Sequence, residues 1–399
     1  MGVPSGGIPR YRRFDGPTLF QAGFRPLFLG AGLWAPASLA LWLLFLFGHI
    51  TSPNPTDPLF WHMHEMLFGF GVAAAAGFLL TAIPNWTGHL PLQGRPLMLL
   101  WLLWAAGRLI ALVPGLSGTI IGAAVDLSFL AALLAAIARE IVTGRNWRNL
   151  PMVAAVALLL MANTLMQVQA IGLAETAMFG MRLGLAILLT MIALVGGRII
   201  PSFTRNWLVK RGDARLPGTF GAVDRVALAT AVVALAAWVA ALPSPIVGPL
   251  LIVAGLAAAV RLARWRGTRT CSEPLLFVLH VGHGWLAIGM AMLGVSEVWP
   301  GLPAASALHA LTIGAIGTMT LAVMTRATLG HTGRELTAGL GTTTIFVLIN
   351  VAAIGRIGAG LVGGGYMPLL ALAGTAWIGA FALFVLLYGP MLMRPRAGS

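Results

Sequence analysis

Residues 61–80 read WHMHEMLFGFGVAAAAGFLL. Two histidines and a glutamate are followed by fifteen residues without a charge, running on into TAIP at 81–84. About 20 apolar residues are what a helix needs to cross roughly 30 Å of hydrocarbon, so this stretch predicts a membrane span with ionisable groups at its entrance. Outward from it the pattern repeats. Apolar runs at 26–48, 59–83, 96–114, 118–140, 150–170, 176–200, 222–242, 246–262, 273–295, 303–326, 338–358 and 365–389 are separated by short polar breaks. The composition agrees: 58% of residues are hydrophobic and 9% charged, against roughly 25% charged in a soluble domain. That excludes a water-soluble globule. The expected fold is an all-α polytopic membrane protein with about 12 transmembrane helices. It forms one integral domain over 1–399, with an N-terminal arm at 1–25, a bundle at 26–389 and a tail at 390–399. The first apolar run starts too late and is too long for a cleavable signal, so it is expected to remain.

The 25 basic side chains set the orientation. Arg10, Arg12, Arg13 and Arg25 precede the first span. Arg95, the Arg139/Arg145/Arg148 group, the run from Arg198 to Arg225, the Arg261–Arg269 group, Arg326 and Arg334 fall on alternate connections, and Arg394 and Arg396 close the tail. Arg108, Arg182 and Arg356 are the exceptions. Basic connections stay in the cytoplasm, so both termini are expected there. The same distribution accounts for the net charge of +14 and argues against nucleic acid as a partner. A single cysteine, Cys271, rules out an intramolecular disulfide or a CxxC site, leaving a metal to histidine, methionine or carboxylate.

Spans two, six and ten begin near 59, 176 and 303, and their inner ends read LLTAIPNWTG, GGRIIPSFTRNW and AVMTRATLGHTGR. This predicts three pseudo-repeats of four helices; the alternative is that helix ends simply collect such residues.

His62 and His64 lie about 200° apart on a helix, so they serve two partners on opposite sides; Glu65 falls near the face of His62. Ionisable groups at membrane depth mark function by default, although Trp61, His62 and His64 could also form an interfacial belt. Gly69, Ala73 and Gly77 give the small-residue spacing that lets a helix or a flat cofactor approach. In span ten, His309 lies about six residues deep and His64 about five, roughly 8 to 9 Å by the helical rise. Imidazoles at one level on two helices are what a bis-histidine haem requires, whereas a lone histidine is usually hydrogen-bonded to a neighbour. His280 and His283 in span nine share a face, and either a metal or helix–helix hydrogen bonds would suit them. His331 and His89 are read in connections and His49 at an outer helix end. Met66, Met178, Met181, Met319 and Met324 fill core gaps, with copper as a further possibility for their thioethers. Arg198, Arg205 and Arg326 could receive a propionate or another anion, although the charge rule already accounts for them.

FRPLFLGAG (24–32), WHMHEMLFGFG (61–71), FLLTAIPNWTG (78–88), GRIIPSFTRN (197–206) and HALTIGAIGTMTLAVMTRATLGHTGR (309–334) together resemble the NnrS family of bacterial inner-membrane proteins. The resemblance implies haem b and copper, an association with denitrification and defence against nitric oxide, and functional roles for His62, His64, Glu65, His280, His309, Arg326 and His331. His283 stands where the family is expected to carry an aromatic residue. Helix count, inner termini and histidines on spans two and ten are also similar to the catalytic subunit of haem-copper oxidases and nitric oxide reductases. Two departures are that span six lacks histidine and that no His-His pair occurs.

The leading expectation is therefore a haem-copper protein that binds and reduces or otherwise removes nitric oxide. His62, His64, His309 and Arg326 would hold cofactor, the six histidines 62, 64, 280, 283, 309 and 331 are the candidate metal ligands, Glu65 would deliver protons, and the electron donor is unknown. The rivals are a twelve-helix secondary transporter, whose long loop would follow the sixth span, and a haem or copper sensor without turnover.

Overall fold

Asp57 begins the second long helix: its Oδ1 accepts from Phe60 N at 2.9 Å, and Pro58 fills the first turn, where its missing N–H costs nothing. Gly88, at φ +76°, ends it. This computed structural model, which describes residues 14–52, 57–88, 90–362 and 364–397, contains twelve long helices among those residues. They are α1 (Phe24–Leu46), α2 (Pro58–Thr87), α3 (Arg95–Ala111), α4 (Ile120–Thr143), α5 (Trp147–Ala170), α6 (Ala177–Lys210), α7 (Ala222–Val239), α8 (Ser244–Ala263), α9 (Pro274–Val298), α10 (Ala304–His331), α11 (Leu340–Leu361) and α12 (Tyr366–Met393). Arg10, Arg12, Arg13 and His89 lie outside the described residues. Among the described residues there is no strand, and eleven helices are long and apolar enough to cross a membrane. The exception is α3, with 17 residues. It stops at Ala111, short of the expected 114, because Pro114 and Gly115 follow and Gly115 has φ +87°. Conversely α10 runs to His331, which is therefore helical and not part of a connection.

Arg25 ties the two chain ends together: its Nη1 donates to Leu392 O at 2.8 Å and to Arg394 O at 2.8 Å. We call this the terminal end of the bundle and the opposite one the far end. Successive helices pair as hairpins, and α12 closes against α1. Inside lie α2 and α10, with 72% and 67% of their apolar windows buried, whereas outer helices such as α4 and α8 bury 39%. The exposed side of the outer helices is apolar, as at Leu109, Ile121, Val233, Leu256 and Leu386. That surface suits lipid.

The three helices α2, α6 and α10 touch one another and share a feature: each contains a π-helical stretch, at Glu65–Gly71, Ile192–Gly196 and Ala310–Gly317. The spacing of four helices read from their inner ends thus recurs in a different backbone property. Wider turns weaken the regular ladder, and neighbours supply donors there. Trp104 Nε1 donates to Gly69 O at 2.8 Å, and Arg261 Nη1 donates to Ala193 O at 2.8 Å. Of the two approaches expected at Gly69 and Gly77, a helix or a flat cofactor, it is the helix α1 that comes close: a Cβ at Gly69 would strike Trp34 and one at Gly77 would strike Phe28.

The backbones of α8 and α9 approach closely, so that a Cβ on Gly294 would stand 2.5 Å from Gly248 O. Backbone cannot yield as a side-chain tip can. Gly294→Ala is therefore expected to cost about 1 to 3 kcal/mol by overpacking, read as a lowered thermal midpoint of the detergent-purified protein; an unchanged midpoint would mean that the two helices part freely.

Candidate functional site

The far end of α2 carries two separate groups. One is a closed ring of buried polar side chains from five consecutive helices. His64 Nδ1 lies 2.8 Å from Glu65 Oε1, and its Nε2 lies 3.2 Å from Asp126 Oδ2 and 2.9 Å from Asn163 Oδ1. Arg108 closes the ring, donating from Nη1 to Glu65 Oε2 at 2.6 Å and from Nη2 to Asp126 Oδ1. Trp34 Nε1 also donates to Glu65 Oε2 at 2.9 Å, and Asn163 Nδ2 and Gln167 Nε2 donate to Asp126 Oδ2 at 2.7 and 3.0 Å. None of His64, Glu65, Arg108 or Asp126 exceeds 6% exposure. Charges this deep persist only when paired, which explains why Arg108 escapes the positive-inside pattern.

This corrects the placement of two residues. His64 was expected at the level of His309 as a cofactor ligand, but it turns toward α4 and α5. Nδ1 faces Glu65, and Nε2 faces Asp126, Asn163 and Gln167 Nε2 at 3.1 Å, so both imidazole nitrogens are engaged within the polar ring and neither points toward α10. Glu65, expected near the face of His62, pairs with His64 because Arg108 and Asp126 draw both side chains to one point.

The second group contains His62. Its ring stacks on Trp42 of α1, with centroids 4.5 Å apart and planes inclined by 15°, and its Nδ1 is buried without a hydrogen-bond partner. His62 is the fifth residue of α2 and His309 the sixth of α10, so the two lie at one level, within electrostatic reach of each other and of Arg356. His309 Nδ1–H donates to Ala305 O at 2.6 Å. A carbonyl only accepts, so this bond fixes the tautomer and leaves Nε2 with a free lone pair, the form in which histidine binds metal. The Arg356 guanidinium lies 5.8 Å from the Tyr366 ring; among the described residues no hydrogen bond or ion pair joins it to an acceptor.

His280 and His283 lie nearer the terminal end, both buried, against Trp265. Thr204 Oγ1 donates to Ile200 O at 2.9 Å, so it accepts from His280 Nε2–H at 2.9 Å. The Nδ1 atoms of both histidines are buried and unpartnered. His283 also feels the positive charge of Arg261, which opposes a cation there. Arg326 and His331 stand at the terminal end of α10, the former with its guanidinium 4.1 Å over the Phe203 ring and the latter with its ring 5.3 Å from that of Phe24. Thus His62 and His309 come together, His280 and His283 come together elsewhere, and His64 and His331 join neither pair.

The family described as NnrS protein matches residues 18–396, from just before α1 to beyond α12. The chain belongs to the NnrS family. Among curated proteins none matches it.

The sequence of this NnrS chain does not by itself single out Trp42, Asp126, Asn163 or Gln167, and it marks Arg108 and Arg356 only as exceptions to the charge pattern. Two signals pointed to some of them. Arg108 and Arg356 break the charge rule, each needing an anion or a ligand nearby, and Asp126 interrupts the apolar run IIGAAVDLSFLAALL. Asn163 and Gln167 are four apart and so share a face, but nothing in their own helix names His64 as the partner.

Among the described residues, the chemistry of His62 and His309 fits a haem. His62 with an unpartnered buried nitrogen and His309 with an oriented lone pair supply one imidazole from each of two inner helices. For copper the fit is poor: among the described residues no three His, Cys, Asp or Glu side chains gather in a way that could hold a metal ion.

Proposed function

We propose that this NnrS protein holds a haem at its far end between α2 and α10, on His62 and His309, and that it binds and reduces nitric oxide there. The observation that carries the reading is the pair of imidazoles at one level, one with an orphaned nitrogen and the other with its tautomer set by Ala305 O. Membership of the NnrS family agrees with a membrane protein linked to nitric oxide.

When bound, the haem supplies an iron at which nitric oxide is taken up and given electrons. The chain supplies the rest. Trp42 holds the plane of the His62 ring, Ala305 O holds that of His309, and Arg356, kept by Tyr366, offers its charge to a carboxylate at the cofactor's edge. Glu65, with both oxygens engaged, acts in this reading as a positioning group: it braces the start of the π-helical stretch that sets the angle of His62.

The test is a reduced-minus-oxidised absorbance spectrum of the detergent-purified protein from haem-sufficient cells, followed by nitric oxide consumption under a chemical reductant. A Soret and alpha-band pair with consumption is expected. Haem-free protein, or haem-loaded protein that leaves nitric oxide untouched, would remove the corresponding half of the proposal.

We also take the terminal end to be cytoplasmic, from the arginines at that end. A periplasm-dependent reporter fused after Ser399 should be inactive and one inserted between α1 and α2 active; the reverse pattern would invert the topology.

A further inference from the structure

The inner helices enclose a second region, remote from His62. A cavity of about 210 Å³ opens at the terminal end between α2, α6 and α10, with Asn85, Trp86, Phe203, Arg326 and His331 in its wall. A further cavity of about 90 Å³ continues it toward the middle of the bundle, past Met191 and Met319 to Gly71 and Ile316. The two share Phe28, Phe78, Ile199 and Val323. The result is a slot with a polar head and an apolar body, about 15 Å long by the ten residues between Ile316 and Arg326.

Arg326 is the unexplained group. Its guanidinium lies over Phe203 at 4.1 Å, and among the described residues no acceptor stands within hydrogen-bond or ion-pair distance of its five donors. Glu273 acts on it from farther off, while Glu273 Oε1 accepts from Leu275 N at 3.2 Å and Ala338 N at 3.1 Å. Asn85 Nδ2 donates to Thr81 O at 2.8 Å, which leaves its oxygen free. Arg326 is half-buried, and its guanidinium, without a protein acceptor at the mouth of an apolar slot, suits a ligand that brings an acceptor with it.

The walls narrow the choice. Phe28, Phe78, Trp86 and Phe203 surround the head region, and flat rings suit aromatic walls better than a phosphate headgroup does. The longest connections between helices are residues 47–57 and 211–221, so among the described residues there is no extramembrane domain to receive a soluble redox protein. We propose that this slot binds a quinone or quinol of the membrane, its ring oxygen accepting from Arg326 and its isoprenoid tail lying toward Met191 and Gly71. Resting on the reading above, the quinol is the electron donor. Oxidising one quinol to quinone releases two electrons and two protons, the number that two nitric oxide molecules take up in forming nitrous oxide and water.

Binding is measured directly with decyl-ubiquinone on the detergent-purified full chain, beside extraction and chromatography of the quinone and phospholipid that co-purify. Saturable binding is expected in the wild type, with affinity about tenfold or more lower in Arg326→Gln, the loss of a charge-assisted hydrogen bond. Arg326→Lys should recover part of it. Val323→Phe, which fills the neck shared by both cavities, should weaken binding without lowering the Arg326 charge. Equal binding in wild type and Arg326→Gln would overturn the proposal. So would retention of phosphatidylglycerol in place of quinone, or a Soret band lost in Arg326→Gln, which would put the porphyrin in this slot. A haem-free wild type that still binds decyl-ubiquinone would sink the haem reading and leave this site standing.

Discussion

Glu65→Gln is expected to destabilise the protein by about 3 to 5 kcal/mol, the cost of breaking a buried ion pair by removing one partner. The amide cannot replace the carboxylate, because one of its two ends is a donor and every neighbour of Glu65 also donates: Arg108 Nη1, Trp34 Nε1 and His64 Nδ1. Arg108 would keep Asp126 alone. Arg108→Gln should cost a similar amount by leaving two carboxylates facing each other across His64, and Trp34→Phe about 1.5 to 3 kcal/mol, the net worth of one hydrogen bond to a charged group. Thermal midpoints of the three variants in detergent should therefore fall in two steps, with Glu65→Gln and Arg108→Gln below Trp34→Phe. In the double variant Glu65→Gln/Arg108→Gln the losses should not add, since the residues share one network. A Glu65→Gln protein with an unchanged midpoint and no nitric oxide turnover would restore Glu65 to the role of a free proton donor.

If His62 and His309 hold the haem as proposed, His62→Ala and His309→Ala are each expected to abolish or grossly change its spectrum, because either loss would leave one strong ligand where water is scarce. His64→Ala separates this arrangement from one that uses the other histidine of the pair. It should lower stability, as the ring loses the bridge between Glu65 and Asp126, yet the protein that does fold should keep its bands. Trp42→Leu removes the ring stacked on His62 and should shift the bands with the haem retained. Normal spectra in both His62→Ala and His309→Ala would move the cofactor to His280, His283 or His331.

How much of this was legible beforehand depends on whether the signal is local. Helix ends are local: Asp57-Pro58, Thr119 and Glu273-Pro274 cap the helices they precede, and the spans read from apolar runs correspond to α1 through α12. That His62 and His64 serve opposite sides is also local, a consequence of 3.6 residues per turn. Which of them faces α10 is not. It is decided by Asp126, Asn163 and Gln167, residues 62, 99 and 103 positions away, and no periodicity within α2 carries that information. The π-helical stretches were likewise invisible, since an i→i+5 turn depends on what the neighbouring helix offers to the loosened carbonyl, as Trp104 and Arg261 do.

By itself the sequence determined that the chain is a multi-pass membrane protein and where each of its helices starts, because hydrophobic length and capping act within a few residues. Only the tertiary structure decided that Glu65 is locked in a charged ring, that His62 and not His64 is aligned with His309, and that Arg326 heads a slot among α2, α6 and α10. Those outcomes depend on pairings between helices distant in sequence, and in a low-dielectric interior a buried charge or imidazole settles wherever the fold brings it a partner.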